Sequence, residues 1–232
     1  MTESPEKSES DHIAETREEL LNAVLPHVAF DGWSNETLNS AIAEEGIDPG
    51  LAHLAFPRGG VDLALAFHYR ADRQLEDQLG QADAAAHLAT MKIRDRVAYS
   101  VRKRIELVAA QREAVRRGAT LLGLPIYAGD GIKAIWNTAD VIWRLCGDNA
   151  TDYNWYTKRM ILSSVYSATV LYWLGDQSTD SERSWEFLDR RIADVMTFEK
   201  TKASLQKNPL VQAAMWGPNQ LLSRIKAPSP GT

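Results

Sequence analysis

The stretch SNETLNSAIAEEGIDPGLAHLAF, Ser34–Phe56, decides how this chain folds. Ser34 is an N-cap residue placed just ahead of Leu38, Ala41 and Ile42 at helical spacing, and Gly46 past the last of them supplies a left-handed stop. Asp48 followed by Pro49 repeats the signal, a capping carboxylate and a proline at the first helical position, for a short helix through Leu51, Leu54 and Phe56. Upstream, Ile13, Leu20, Leu21, Val24, Leu25 and Val28 predict an amphipathic helix ending near the Phe30-Asp31-Gly32 turn. Three short helices, the last two joined by a tight glycine turn, have the outline of a helix-turn-helix.

The pattern stays helical downstream. After Pro57-Arg58-Gly59-Gly60 comes a helix through Leu63, Leu65, Phe67 and Leu75, then a long basic helix carrying Ile93, Val97, Val101, Ile105 and Val108. Ile132, Ile135, Trp136, Ala139, Trp143 and Cys146 keep to one face of a further helix, with Lys133, Asn137, Asp140 and Arg144 on the other, until Gly147. A helix capped near Thr151 or Asp152 and running to Leu174 is apolar on nearly every side, which suits burial among other helices. Trp185, Leu188, Ile192 and Val195 mark another. Strand-type alternation is nowhere sustained, so the expected fold is all-α.

At 232 residues with 44% hydrophobic content the chain can bury a sizeable core, which excludes wholesale disorder. Its one cysteine, Cys146, lies in an apolar run and reads as a buried thiol in a reducing compartment. Residues 1–10 are polar and aperiodic, a disordered tail without the apolar core of a secretory signal or the arginines of a transit peptide. The expectation is a soluble protein that stays where it is made, with any membrane contact peripheral.

Charge is distributed unevenly. Residues 11–57 hold nine acids against one base, Arg17, whereas residues 200–232 hold five bases and no acid. A reading helix needs cations to neutralise phosphate, and the segment from Pro49 to Phe56 has none, so nucleic acid is excluded as a partner. The bases between Lys92 and Arg117 alternate with apolar positions and read as a solvated face. The five histidines are scattered without the spacing that converges ligands on a metal, and no phosphate-binding loop or nucleophile elbow occurs. No catalytic residue, metal or cofactor is assigned. Gly59-Gly60, with Arg58 beside it, could cradle an anion at a helix N-terminus, but a turn that needs glycine is the simpler reading.

Two signals remain. Residues 199–227 place Lys207, Arg224 and Lys226 among Leu210, Val211, Met215, Trp216, Leu221, Leu222 and Ile225, the composition of an amphipathic helix lying on an anionic membrane surface. The second is Thr151-Asp152-Tyr153-Asn154-Trp155-Tyr156-Thr157-Lys158-Arg159. Three large aromatics in one helical turn point in different directions, so at least one must be at the surface, where a Trp or Tyr near an Arg makes a protein-docking patch. The candidate docking residues are Tyr153, Trp155, Tyr156 and Arg159. Trp136, Trp143, Tyr166 and Trp185 supply more apolar surface than helix pairing needs and are the candidate lining of an apolar cavity of roughly 300 Å3 or more.

The same stretches resemble a known family. Phe30-Asp31-Gly32-Trp33, Phe56-Pro57-Arg58-Gly59-Gly60, Asp152–Arg159, Ser164–Thr169 and Trp185–Ile192 are similar to the ubiquinone-biosynthesis accessory proteins, over about residues 27–200. Lys158 stands where mitochondrial members of that family tend to carry arginine. The resemblance implies a TetR-like helical fold that has lost DNA binding, and a homodimer whose larger domain encloses an isoprenoid quinone or phospholipid. It also implies a di-iron demethoxyubiquinone hydroxylase docked at Trp155 and Tyr156, to which the lipid is presented. On this reading residues 11–58 form the helix-turn-helix-like module, 59–198 the lipid-binding domain, 199–227 the membrane-surface helix and 228–232 a tail. The expected setting is bacterial: the cytoplasm, peripheral at the inner membrane. The competing reading is a TetR-like ligand-responsive transcriptional regulator.

Overall fold

A computed structural model describes residues 9–206 and 226–228, and among these the regular structure is helical throughout. The ten α-helices are α1 (Glu9–Asp31), α2 (Asn35–Glu45), α3 (Pro49–Ala55), α4 (Gly60–Leu79), α5 (Ala82–Thr90), α6 (Ile93–Glu106), α7 (Arg112–Leu122), α8 (Ala128–Leu145), α9 (Tyr153–Gly175) and α10 (Glu182–Gln206). No helix among the described residues is long and apolar enough to cross a membrane. The nine membrane-surface residues from Lys207 to Ile225 lie outside the described residues, and only Lys226 of that set falls within them.

By Cα packing the chain divides into two compact units, Met1–Arg73 with Leu107–Ala134 and Gln74–Glu106 with Ile135–Thr232. The first is organised by the capping chemistry read above. Ser34 accepts from the Thr37 N–H at 3.1 Å, Asp48 from the Leu51 N–H at 2.9 Å, and Gly46 closes α2 at φ 66°. The core of this unit includes Leu20, Leu21, Val24, Val28, Trp33, Leu38, Phe56, Leu63 and Phe67. Each such side chain taken out of water is worth about 1.5–3 kcal/mol. Trp33 carries its polar edge inward and donates to the Ala114 carbonyl at 2.9 Å.

The Pro57–Gly60 turn is a structural requirement. A Cβ on Gly60 would stand 2.3 Å from the Trp33 carbonyl oxygen, and Gly59 has φ +59° with the Asn35 amide against it. Arg58, the candidate anion ligand, instead pairs with Asp62 and Asp130 at 2.8 Å each. Arg17, the single base of the acidic segment, caps α3 by donating to the Ala55 carbonyl at 2.8 Å, with its guanidinium over the Phe56 ring.

Three expectations need correction. The long basic helix is broken: α5 precedes α6, α6 ends at Glu106, and a 3-10 turn, Ala109–Gln111, separates it from α7. The break falls where Val108 leaves helical geometry (φ −112°, ψ 12°) while remaining buried. Nor are its bases uniformly solvated. Arg104 is buried, and Arg96 donates to the Ala89, Met91 and Cys146 carbonyls, satisfying acceptors at the ends of α5 and α8. Finally, α1 already begins at Glu9, and α10 runs on to Gln206 across the expected boundary at 198.

Candidate functional site

In the second unit, Asp152 starts α9 by accepting from the Asn154 N–H at 3.0 Å, which fixes the helix phase at the aromatic turn. From that phase Tyr153 and Trp155 come to lie half-buried and Tyr156 exposed. Trp136 of α8 meets both of the latter. Its ring centroid is 5.9 Å from Trp155 and 6.3 Å from Tyr156, and the Trp155 and Tyr156 rings sit edge to face at 4.8 Å. Exposed Met160, one turn on from Tyr156, follows on the same face of α9. Trp136, read as a cavity residue, thus belongs to a surface aromatic cluster together with two of the docking candidates.

Arg159 lies under this cluster. It is 2% exposed, with its guanidinium 3.9 Å from the Trp155 ring centroid. It donates to Asp140 at 2.6 Å, to Asp148 at 3.0 Å and to the Trp155 carbonyl at 3.1 Å. Lys158 closes the network on the other oxygen of Asp148 at 2.6 Å, and its ammonium lies 5.3 Å from the Trp143 ring centroid. Burial pushes the Asp148 carboxyl up, and the hydrogen bonds from Lys158 and Arg159 outweigh that, holding it below the ordinary carboxylate range. Arg159 therefore supports Trp155 from below and offers no free group to the surface. Asp148, in the loop after Gly147, was not singled out from sequence. A carboxylate a short loop away from a Lys-Arg pair was the available signal.

The other cavity candidates separate. Trp143 helps line an apolar cleft of about 80 Å3, together with Ile93, Val97, Leu162, Val165 and Ile192. That is room for part of an aliphatic chain and well below the volume expected from sequence. Tyr166 is buried with the Arg104 guanidinium 6.0 Å from its ring centroid. Trp185 is half-buried, donating to the Asp180 carbonyl at 2.8 Å, with Arg102 over its ring. Cys146 is buried, and desolvation pushes its thiol up to about 11, so it is inert at neutral pH. At the turn before α10, burial raises the Asp176 carboxyl, but bonds from Ser184 and Ser178 more than offset this and hold it far below the usual range, tying α9 to α10.

Lys226-Ala227-Pro228 returns to this site. The Ala227 N–H donates to the Thr151 carbonyl at 3.0 Å, and the Tyr156 hydroxyl donates to the Lys226 carbonyl at 3.4 Å. Lys226, read as a membrane contact, here holds a main-chain position beside α9.

Residues 128–199, which contain the whole aromatic site, match the family model described as COQ9. Over 224 residues the chain is 30% identical to the human ubiquinone biosynthesis protein COQ9, mitochondrial, covering 92% of this chain and 68% of that protein. It is 29% identical to the Drosophila melanogaster protein of the same name over 183 residues, 79% of this chain, and spans only 56% of that relative's length. The probable Dictyostelium discoideum counterpart is 25% identical over 83% of this chain and 64% of its own. Among solved structures, a TetR transcriptional regulator from Nitrosomonas europaea superposes with a TM-score of 0.63 over 77% of this chain and 97% of its own, at 17% identity, a likeness of fold alone. The fold is accordingly all-helical and TetR-like. All three relatives are mitochondrial by name, which overturns the expected bacterial setting in the cytoplasm at an inner membrane and points to mitochondria. That expectation rested on the composition of residues 1–10, which does not decide a compartment. Alike to the human protein over most of its own length, the chain belongs to the COQ9 family.

Proposed function

We propose that this chain is a non-catalytic accessory protein of ubiquinone biosynthesis, which binds an isoprenoid quinone intermediate or a phospholipid at a membrane surface and presents it to the demethoxyubiquinone hydroxylase. One observation carries the reading. Trp136, Trp155 and Tyr156 form an aromatic cluster open to the surface, held from beneath by a buried Arg159–Asp148 pair. Buried ion pairs are costly to assemble, and here the pair fixes the orientation of a surface aromatic, the arrangement a docking hot spot needs. The apolar cleft beside Trp143 would take part of the lipid chain, with a second copy of the protein completing a homodimer. The basic, Trp-bearing segment from Lys207 to Ile225 would meet the membrane. The regulator reading is set aside because α3 holds neither Lys nor Arg.

The test is co-elution of the purified chain with the hydroxylase, combined with mass spectrometry of an organic extract of the complex. A stoichiometric complex carrying a quinone intermediate or phospholipid is expected. Separate elution of the two proteins, or an extract free of lipid, would overturn the reading.

A further inference from the structure

Both bonds that seat Lys226–Pro228 at the start of α9, one to Thr151 just before the helix and one from Tyr156 within it, use main-chain atoms of the tail, so they recognise backbone. Of the three residues Ala227 is the most covered, while Lys226 and Pro228 are exposed. The groups engaged on the body, the Thr151 carbonyl and the Tyr156 hydroxyl, are polar groups flanking the aromatic cluster, the second being the outer end of its exposed ring. A protein seated on Trp155 and Tyr156 would need that same rim, because a docked aromatic patch is ringed by polar contacts that exclude water.

We propose that residues 226–228 form an intramolecular strap that competes with a protein partner for the Tyr156 edge of the aromatic cluster. This rests on the reading of the cluster as a docking patch. The strap makes one well-formed hydrogen bond and one long one, both at the surface, so a partner can displace it, and while seated it lowers the apparent affinity.

Two variants of the full chain test the proposal. Ala227→Pro removes the donor to Thr151 with no change of charge, and a chain ending at Ile225 removes the strap entirely. Titrated with the hydroxylase, each is expected to bind roughly three- to tenfold more tightly than the parent, the scale of one surface hydrogen bond. Amide exchange at Ala227 should be slowed in the free parent and released when the hydroxylase is added. Trp155→Ala, measured alongside, separates the two claims. If it weakens binding while both tail variants bind as the parent does or less tightly, the strap is refuted and the docking patch stands. If Trp155→Ala has no effect, the patch and the strap fail together. Fast exchange at Ala227 in the free protein would also overturn the strap.

Discussion

The α1–α3 module and the start of α9 use polar residues in opposite ways. In the module each special residue is consumed by local structure: Ser34 and Asp48 cap, Gly46 turns, Arg17 closes α3. Exposed on the module are acids such as Asp31, Glu36, Glu44 and Glu45, neutral polar residues such as Asn22 and Asn39, and the apolar Phe30 and Leu54. At α9 the charges go inward, Arg159 and the side chain of Asp148 being almost fully buried, while the aromatics they support lie at the surface. The helix-turn-helix outline keeps its caps, while α3 carries neither Lys nor Arg to neutralise phosphate. The buried Arg159–Asp148 pair fixes the ring of Trp155 in an open aromatic cluster, and that is the difference on which the proposed docking surface rests.

The largest expected effect sharpens that contrast. Asp148→Asn removes one of the two carboxylates that pair buried Arg159 and leaves Asp140, so the cost is expected at the low end of that for a broken buried pair, about 3 kcal/mol, read as a fall in denaturant midpoint. The pH dependence has a definite sign. Because the folded-state carboxyl is held below its ordinary range, its stabilisation is complete above that range and is lost as pH falls below about 4. Asp148→Asn should flatten this acid limb. An unchanged midpoint and an unchanged acid limb would remove the ion network from the account.

Next in size is Gly60→Ala, the corresponding break in the first unit. The added Cβ meets the Trp33 carbonyl, a main-chain atom that cannot swing aside, and a cost of about 1–3 kcal/mol in thermal or chemical unfolding is expected. Hydroxylase binding by the folded fraction should be unaltered. The smallest effect belongs to Leu54→Lys, which changes an exposed position on α3 and should shift stability by no more than about 0.5 kcal/mol. Binding to duplex DNA should not appear at physiological salt. If it does, the module has retained a reading function and the contrast is lost.

How much of this was legible beforehand follows from the range of the interactions. Caps are local, so Ser34, Gly46 and Asp48 are read directly and the cap of α9 is narrowed to Thr151 or Asp152, while crowding of Tyr153, Trp155 and Tyr156 into one turn requires surface exposure of at least one. The partners of Arg159 stand 19 and 11 residues away, on α8 and in the following loop, and no periodicity within α9 announces them. The burial of Arg104 and the bond from the Ala227 N–H to the Thr151 carbonyl are equally non-local. Period alone cannot tell a ring facing a void from one under a cation, so from sequence the aromatic stripes look like the lining of one cavity. Trp185 and Tyr166 each lie near an arginine, and Trp136 faces the cluster.

The most direct test of the central claim is the affinity of the Trp155→Ala chain for the hydroxylase, measured beside its melting temperature. Losing an interfacial tryptophan commonly costs ~2 kcal/mol, so binding should weaken about thirtyfold while melting stays close to the parent, since Trp155 packs at the surface with its support intact. Parental affinity, or a melting temperature far below the parent, would contradict the account and make Trp155 a packing residue.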